Sequence, residues 1–123
     1  MIKIFGIKNC DTCRKAIKWL ETEGFKYQFY DLRLDELKIS AINKWIEKIG
    51  LETLLNSRST TWRNLPSKIK ENLDKETAVQ LMKEFPTLIK RPVFNIGSKF
   101  CVGYTLKSKE FLVNEIKKQS FFR

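Results

Sequence analysis

A chain of 123 residues has the length of one ordinary domain and is too short for two. Its 42% hydrophobic content falls in short runs, none near the roughly 18 apolar residues that a membrane helix needs, so a soluble chain with no membrane association is expected. The net charge of +10, from 24 Lys and Arg against 14 Asp and Glu, is scattered along the chain, which indicates a lysine-rich solvated surface; with no helix-turn-helix or other reading motif visible, direct DNA binding is not expected.

The N-terminus, Met-Ile-Lys-Ile-Phe-Gly, enters a strand pattern at once and lacks the regions of a secretory signal, so a cytoplasmic location is expected. Three cysteines cannot all be paired internally, and two of them stand in the spacing Cys10-Asp11-Thr12-Cys13, which fits a reducing compartment.

Along the chain, Ile2, Ile4 and Phe5 with Gly6 predict a buried strand and a turn. Asp11 or Thr12 is then placed to cap a helix whose core face is Ala16, Ile17, Trp19 and Leu20, with Gly24 as its stop. The aromatic run Phe25 to Tyr30 predicts a second strand, parallel to the first because the intervening helix makes a βαβ crossover. Ile39, Ile42, Trp45, Ile46 and Ile49 recur at helical spacing up to Gly50, and a short turn follows over Leu51 to Leu55. The polar stretch from Asn56 to Arg63 reads as a loop. Asp74 to Phe85 predicts another helix, ended by Pro86. Val93 to Ile96 and Phe100 to Tyr104 flank Gly97-Ser98 as a hairpin, and Ser108 to Gln119 predicts a last helix with Phe111, Leu112 and Ile116 on its core face. The order β-α-β, helices, β-β-α predicts an α/β protein with a thioredoxin-like fold: one domain over 1–123, a four-stranded mixed sheet flanked by helices, and a helical insertion over about 36–86.

A thiol attacks as its thiolate, and a helix N-terminus favours that form through its unpaired N–H groups and macrodipole. Cys10 lies between strand and helix in this way, with Lys8 and Arg14 near in sequence, and Cys13 follows one turn on, where it could resolve a mixed disulfide. Structural zinc wants four Cys or His ligands; with no histidine and only Cys101 besides the pair, a metal role is disfavoured. Cys101, between Phe100 and Val102, reads as a packing residue.

Three segments, from Gly6 to Thr12, from Leu54 to Arg63 and Ile89-Lys90-Arg91-Pro92, together resemble the signatures of the ArsC/Spx/YffB family, in particular its YffB-like branch. The resemblance implies an active cysteine at Cys10 within a segment that includes Lys8 and Asn9, and a Pro92 in cis beside it. It also implies an anion site. Arg58 and Arg91 match two arginines that hold the oxyanion in the family's arsenate reductases, and the third position falls near Lys99, where lysine keeps the charge and loses the bidentate fork. Arg63 matches the YffB-like branch as a partner-contacting residue. Cys13 departs from that branch and matches the Cys-x-x-Cys of Spx regulators.

These features lead to a thiol-dependent reductase with Cys10 and Cys13 as its working sulfurs and Arg58 and Arg91 as its anion-binding cations. It would bind no cofactor, would use glutathione, glutaredoxin or another dithiol protein as co-substrate, and would act on a small oxyanion or disulfide. Arsenate reduction and an Spx-like regulator that binds RNA polymerase are the alternatives.

Overall fold

The computed structural model describes residues 1 to 121. The elements run β1 (Ile2–Gly6), α1 (Asp11–Thr22), β2 (Tyr27–Asp31), α2 (Ile39–Ile49), α3 (Leu51–Leu54), α4 (Thr60–Arg63), α5 (Ser67–Glu71), α6 (Lys75–Glu84), a 3-10 turn (Pro86–Leu88), β3 (Val93–Ile96), β4 (Lys99–Val102) and α7 (Leu106–Phe121). Two compact units result: one from Met1–Asp31 together with the chain from Arg91 on, the other from Leu32–Lys90.

The first unit holds a four-stranded mixed sheet in the order β2-β1-β3-β4. β1 and β2 run parallel, and β3 is antiparallel to both β1 and β4, which gives the thioredoxin-like arrangement. Because side chains alternate along a strand, Ile2 and Ile4 share a face with Ile96 and Phe94 opposite them. That face packs against Ala16 and Leu20 of α1 and Leu112 of α7, all buried. The opposite face carries Phe5, stacked on Tyr30 with ring centroids 5.0 Å apart.

Gly24 ends α1 with φ of +72°, a conformation that favours glycine. The Phe25 N–H reaches the Leu20 carbonyl at 3.0 Å and the Gly24 N–H reaches Glu21 at 3.1 Å, the two bonds of a Schellman motif. Phe25 and Lys26 are used in this exit, so β2 starts at Tyr27, later than the aromatic run suggests. The last helix begins at Leu106, ahead of the expected Ser108. The Ser108 N–H donates to Thr105 Oγ1 at 3.1 Å and the Thr105 N–H to Ser108 Oγ at 2.8 Å, a reciprocal capping arrangement that sets the helix start.

In the second unit α2 packs on α6, and Ile42, Trp45, Ile46, Leu54, Ala78, Val79, Met82, Leu88 and Ile89 are buried. Asp74 caps α6 by accepting the Thr77 N–H at 2.7 Å. The stretch from Asn56 to Arg63 is not all loop: Ser59 Oγ accepts the Trp62 N–H at 3.1 Å and starts the single turn of α4. α5 is not foreseen from the sequence, because Ser67–Glu71 is too short for a periodic apolar pattern and none of its side chains is buried. No helix among the described residues is long and apolar enough to cross a membrane.

Candidate active site around Cys10

The candidate site is built where β1 gives way to α1. Gly6 pairs with Asp31 across the parallel ladder, and the buried Asp31 carboxylate accepts a hydrogen bond from the Lys8 N–H at 3.0 Å. A buried carboxylate requires such donors, and this bond ties the loop before Cys10 to the end of β2. Asp31 does not stand out in the sequence. Its signal is the strand pairing: two parallel strands of equal length bring their last residues, Gly6 and Asp31, side by side.

Cys10 itself occupies the N-cap of α1, with φ −119° and ψ 120°, and its carbonyl accepts the first helical bond from the Arg14 N–H at 2.9 Å. This corrects the expected cap at Asp11 or Thr12. The cap position normally taken by an oxygen acceptor holds a thiol, so the orphan N–H groups of the first turn have sulfur as their neighbour.

Partial burial by itself pushes the Cys10 thiol up. The Cys13 backbone N–H, the Cys13 thiol and the Arg91 guanidinium outweigh it, and Cys10 is held below its ordinary value. Cys13 behaves in the opposite way. Burial drives its thiol up to about 12, and the neighbouring Cys10 adds to the rise, while the Ile7 backbone and Arg91 only partly oppose it. The pair thus consists of one sulfur poised to ionise and one held protonated, both as free thiols. Gly6 makes room for this geometry: a Cβ at that position would lie 2.6 Å from Cys13 Sγ.

Arg91 and Pro92 come to Cys10 from the start of β3, and the Arg91–Pro92 bond is cis. The Pro92 carbonyl accepts the Gly103 N–H at 2.8 Å, which joins this segment to the chain after β4. Lys8 and Asn9 line a cavity of about 450 Å³ beside Cys13, walled also by Ile7, Ile17, Tyr27 and Phe29. Arg14, at the rim, forms an exposed ion pair with Asp11. Arg58 and Arg63 belong to the second unit, where both side chains are exposed. The Arg58 N–H donates to Asn56 Oδ1 at 3.2 Å, and Arg63 reaches Thr60 Oγ1 at 3.4 Å.

Lys99 departs from expectation. It pairs with Ile96, which pairs with Ile2, so it sits at the end of the sheet where β1 begins. Cys10 follows the other end. Lys99 is there bound to Glu115 at 3.0 Å, an exposed ion pair that raises the lysine and lowers the acid. The β4 residue at the Cys10 end is Val102, opposite Val93 and hence in line with Phe5, and it carries no charge. The third cation expected from the sequence is therefore missing from this strand end.

Cys101 faces the same side of the sheet as Phe94, its partner across the ladder. Burial pushes its thiol up to about 12, consistent with a packing residue.

Removing the Arg91 charge should move Cys10 towards its ordinary value. With Arg91→Gln, the inflection in the pH dependence of alkylation at Cys10 is expected to move to higher pH. Below that inflection the rate should fall about tenfold for every pH unit by which the inflection rises. An unmoved inflection would show that Arg91 does not support the thiolate.

A thioredoxin-like fold with a cysteine pair at the mouth of its first helix defines the class of protein. The chain belongs to the ArsC family, whose model, described as the ArsC family, matches residues 5–111. An uncharacterized protein of Haemophilus influenzae is 43% identical over 107 residues, covering 87% of this chain and 94% of that protein. The global transcriptional regulator Spx of Lactiplantibacillus plantarum is 25% identical over 126 residues, covering 100% of this chain and 95% of the regulator. Among solved structures, a YFFB protein superposes with a TM-score of 0.82 at 34% identity, covering 88% of this chain and 95% of its own. An arsenate reductase related protein of Brucella melitensis superposes with a TM-score of 0.75 at 38% identity, covering 89% and 91%.

Proposed function

We propose that the protein is a thiol-dependent reductase in which Cys10 is the nucleophile, Cys13 the resolving thiol, and glutathione, a glutaredoxin or another dithiol protein the reductant. The asymmetry of the pair carries this reading: Cys10 held low at the helix mouth beside Arg91, Cys13 held high behind it. The Cys10 thiolate attacks one sulfur of a substrate disulfide, forming a mixed disulfide and expelling the other sulfur as a thiolate. Cys13 then gives up its proton and attacks Cys10 Sγ, which releases the second substrate thiolate and leaves a Cys10–Cys13 disulfide. The substrate has gained two electrons, and the reductant restores them to the chain. Arg91 offsets the negative charge that an anionic substrate such as a glutathione adduct brings to the thiolate.

Mass spectrometry after treatment with oxidised glutathione tests the sequence of steps. The native chain should end as an internal disulfide, whereas Cys13→Ser should accumulate glutathione on Cys10. The same adduct on both proteins would remove Cys13 from the mechanism.

The match to Spx over the whole chain, together with the Cys-x-x-Cys, supports a second reading, a regulator that binds RNA polymerase according to the oxidation state of Cys10 and Cys13. Capture of polymerase by one redox state alone would favour it. Arsenate reduction is a weaker reading, since Val102 supplies no cation where Lys99 was expected to. Release of arsenite from arsenate with glutathione and glutaredoxin would restore it.

A further inference from the structure

Away from Cys10, the first unit carries a basic aromatic surface that the reaction above does not use. Lys15, Lys18, Trp19 and Thr22 of α1 and Tyr104, just after β4, line a shallow cavity of about 310 Å³. Lys109 of α7 lies over both rings, 4.6 Å from the Tyr104 centroid and 6.0 Å from that of Trp19. No ion pair engages Lys15, Lys18 or Lys109 among the described residues, whereas Lys99 and Lys118 share Glu115 and Arg14 holds Asp11. Both rings are only partly buried and stand tilted to each other, 6.4 Å apart.

The surface connects to the thiol through the strand end. Along α1 it lies further round the helix: Lys18 is about 80° from Cys10 and roughly 12 Å down the axis, Lys15 about 140° and Trp19 about 180°. Through the strand end, Tyr104 follows Gly103, whose N–H is bonded to Pro92, the neighbour of Arg91. A protein interface covers on the order of 800 Å² per partner, so a protein reaching Cys10 from this side would also cover the lysines and the two rings. Tyr and Trp beside three lysines, of which only Lys15 feels a nearby carboxylate, that of Asp11, make a surface complementary in charge to an acidic partner.

We infer that the Lys15, Lys18, Trp19, Tyr104 and Lys109 surface docks an acidic dithiol protein that reduces the oxidised chain at Cys10. One partner thiolate attacks Cys10 Sγ and expels Cys13, which takes up a proton. The partner's second thiol, losing its proton, then displaces Cys10 and closes the partner's own disulfide, so two electrons pass to the chain. This redox step rests on the thiol chemistry proposed above; the docking does not.

Two measurements separate them. In the first, the 15N-labelled chain is titrated with an acidic thioredoxin in its reduced form at low salt. Shifts should concentrate on Trp19, Tyr104 and their lysine neighbours and disappear in Lys15→Glu/Lys18→Glu/Lys109→Glu. Shifts that are absent, lie elsewhere or persist in that variant would overturn the inference, whatever the chemistry of Cys10. The double variant Lys15→Glu/Lys18→Glu, confined to exposed positions, serves if the triple one does not fold. In the second, the oxidised chain is reduced by the same thioredoxin or by dithiothreitol. The charge-reversed variant should react about tenfold more slowly with thioredoxin at low salt, a difference that added salt removes, and at the native rate with dithiothreitol. Equal loss with both reductants would overturn docking as the cause. A chain that forms no disulfide at all would remove the proposed reductase function and leave the first measurement to decide the surface.

Discussion

Replacing Cys10 with serine should lower disulfide turnover by on the order of a thousandfold or more, because the chemistry begins with a sulfur anion that the hydroxyl cannot replace. A serine at the N-cap of α1 is a good capping residue, so the helix should be retained or slightly strengthened and the circular dichroism spectrum unchanged. The loss would then be chemical. The expected pattern includes a second feature: Cys10→Ser should leave Cys13 nearly inert to alkylating agents at neutral pH, since Cys13 is buried and that burial, the largest cause of its raised thiol, remains when Cys10 is gone. Turnover that persists in Cys10→Ser would place the nucleophile elsewhere and exclude the proposed mechanism.

The largest stability effect is expected at Phe94. Its side chain is 0% exposed and stands opposite Ile4 and Cys101, at the centre of the cluster that joins the sheet to α1 and α7. Phe94→Ala should cost about 3–5 kcal/mol, the transfer of a ring to water together with the cavity left behind. Native stabilities of roughly 5–15 kcal/mol make that a large share. Denaturant unfolding followed by circular dichroism would measure it, and a loss under about 1 kcal/mol would contradict the packing described. The same variant should also open the surroundings of Cys101, the partner of Phe94 across the ladder, and faster labelling of Cys101 would report the loosened core.

Much of the architecture could be read from local pattern. Ile2, Ile4 and Gly6 marked β1, the spacing of Ile42, Trp45 and Ile46 marked α2, and Gly24 marked a helix end, because each signal depends on residues a few positions apart. Periodic pattern does not reveal an element whose start is set by a hydrogen bond between near neighbours. Ser59 turned part of a polar loop into α4, and Thr105 with Ser108 moved the start of α7.

The cysteine pair at a strand-to-helix junction was determined by the sequence alone, since strand, turn, thiol and helix follow one another along the chain. Which groups act on that thiol was decided by the tertiary structure. Sheet pairing brings the end of β2 to Gly6, so Asp31 holds the Cys10 loop, and β3 delivers Arg91 from far along the chain. The same ladder carries Lys99 to the opposite end of the sheet and sets Val102 in its place. Charge and chain spacing do not encode strand register, and a difference of three residues along one strand, about 10 Å, separates a cation at the site from one bound to Glu115.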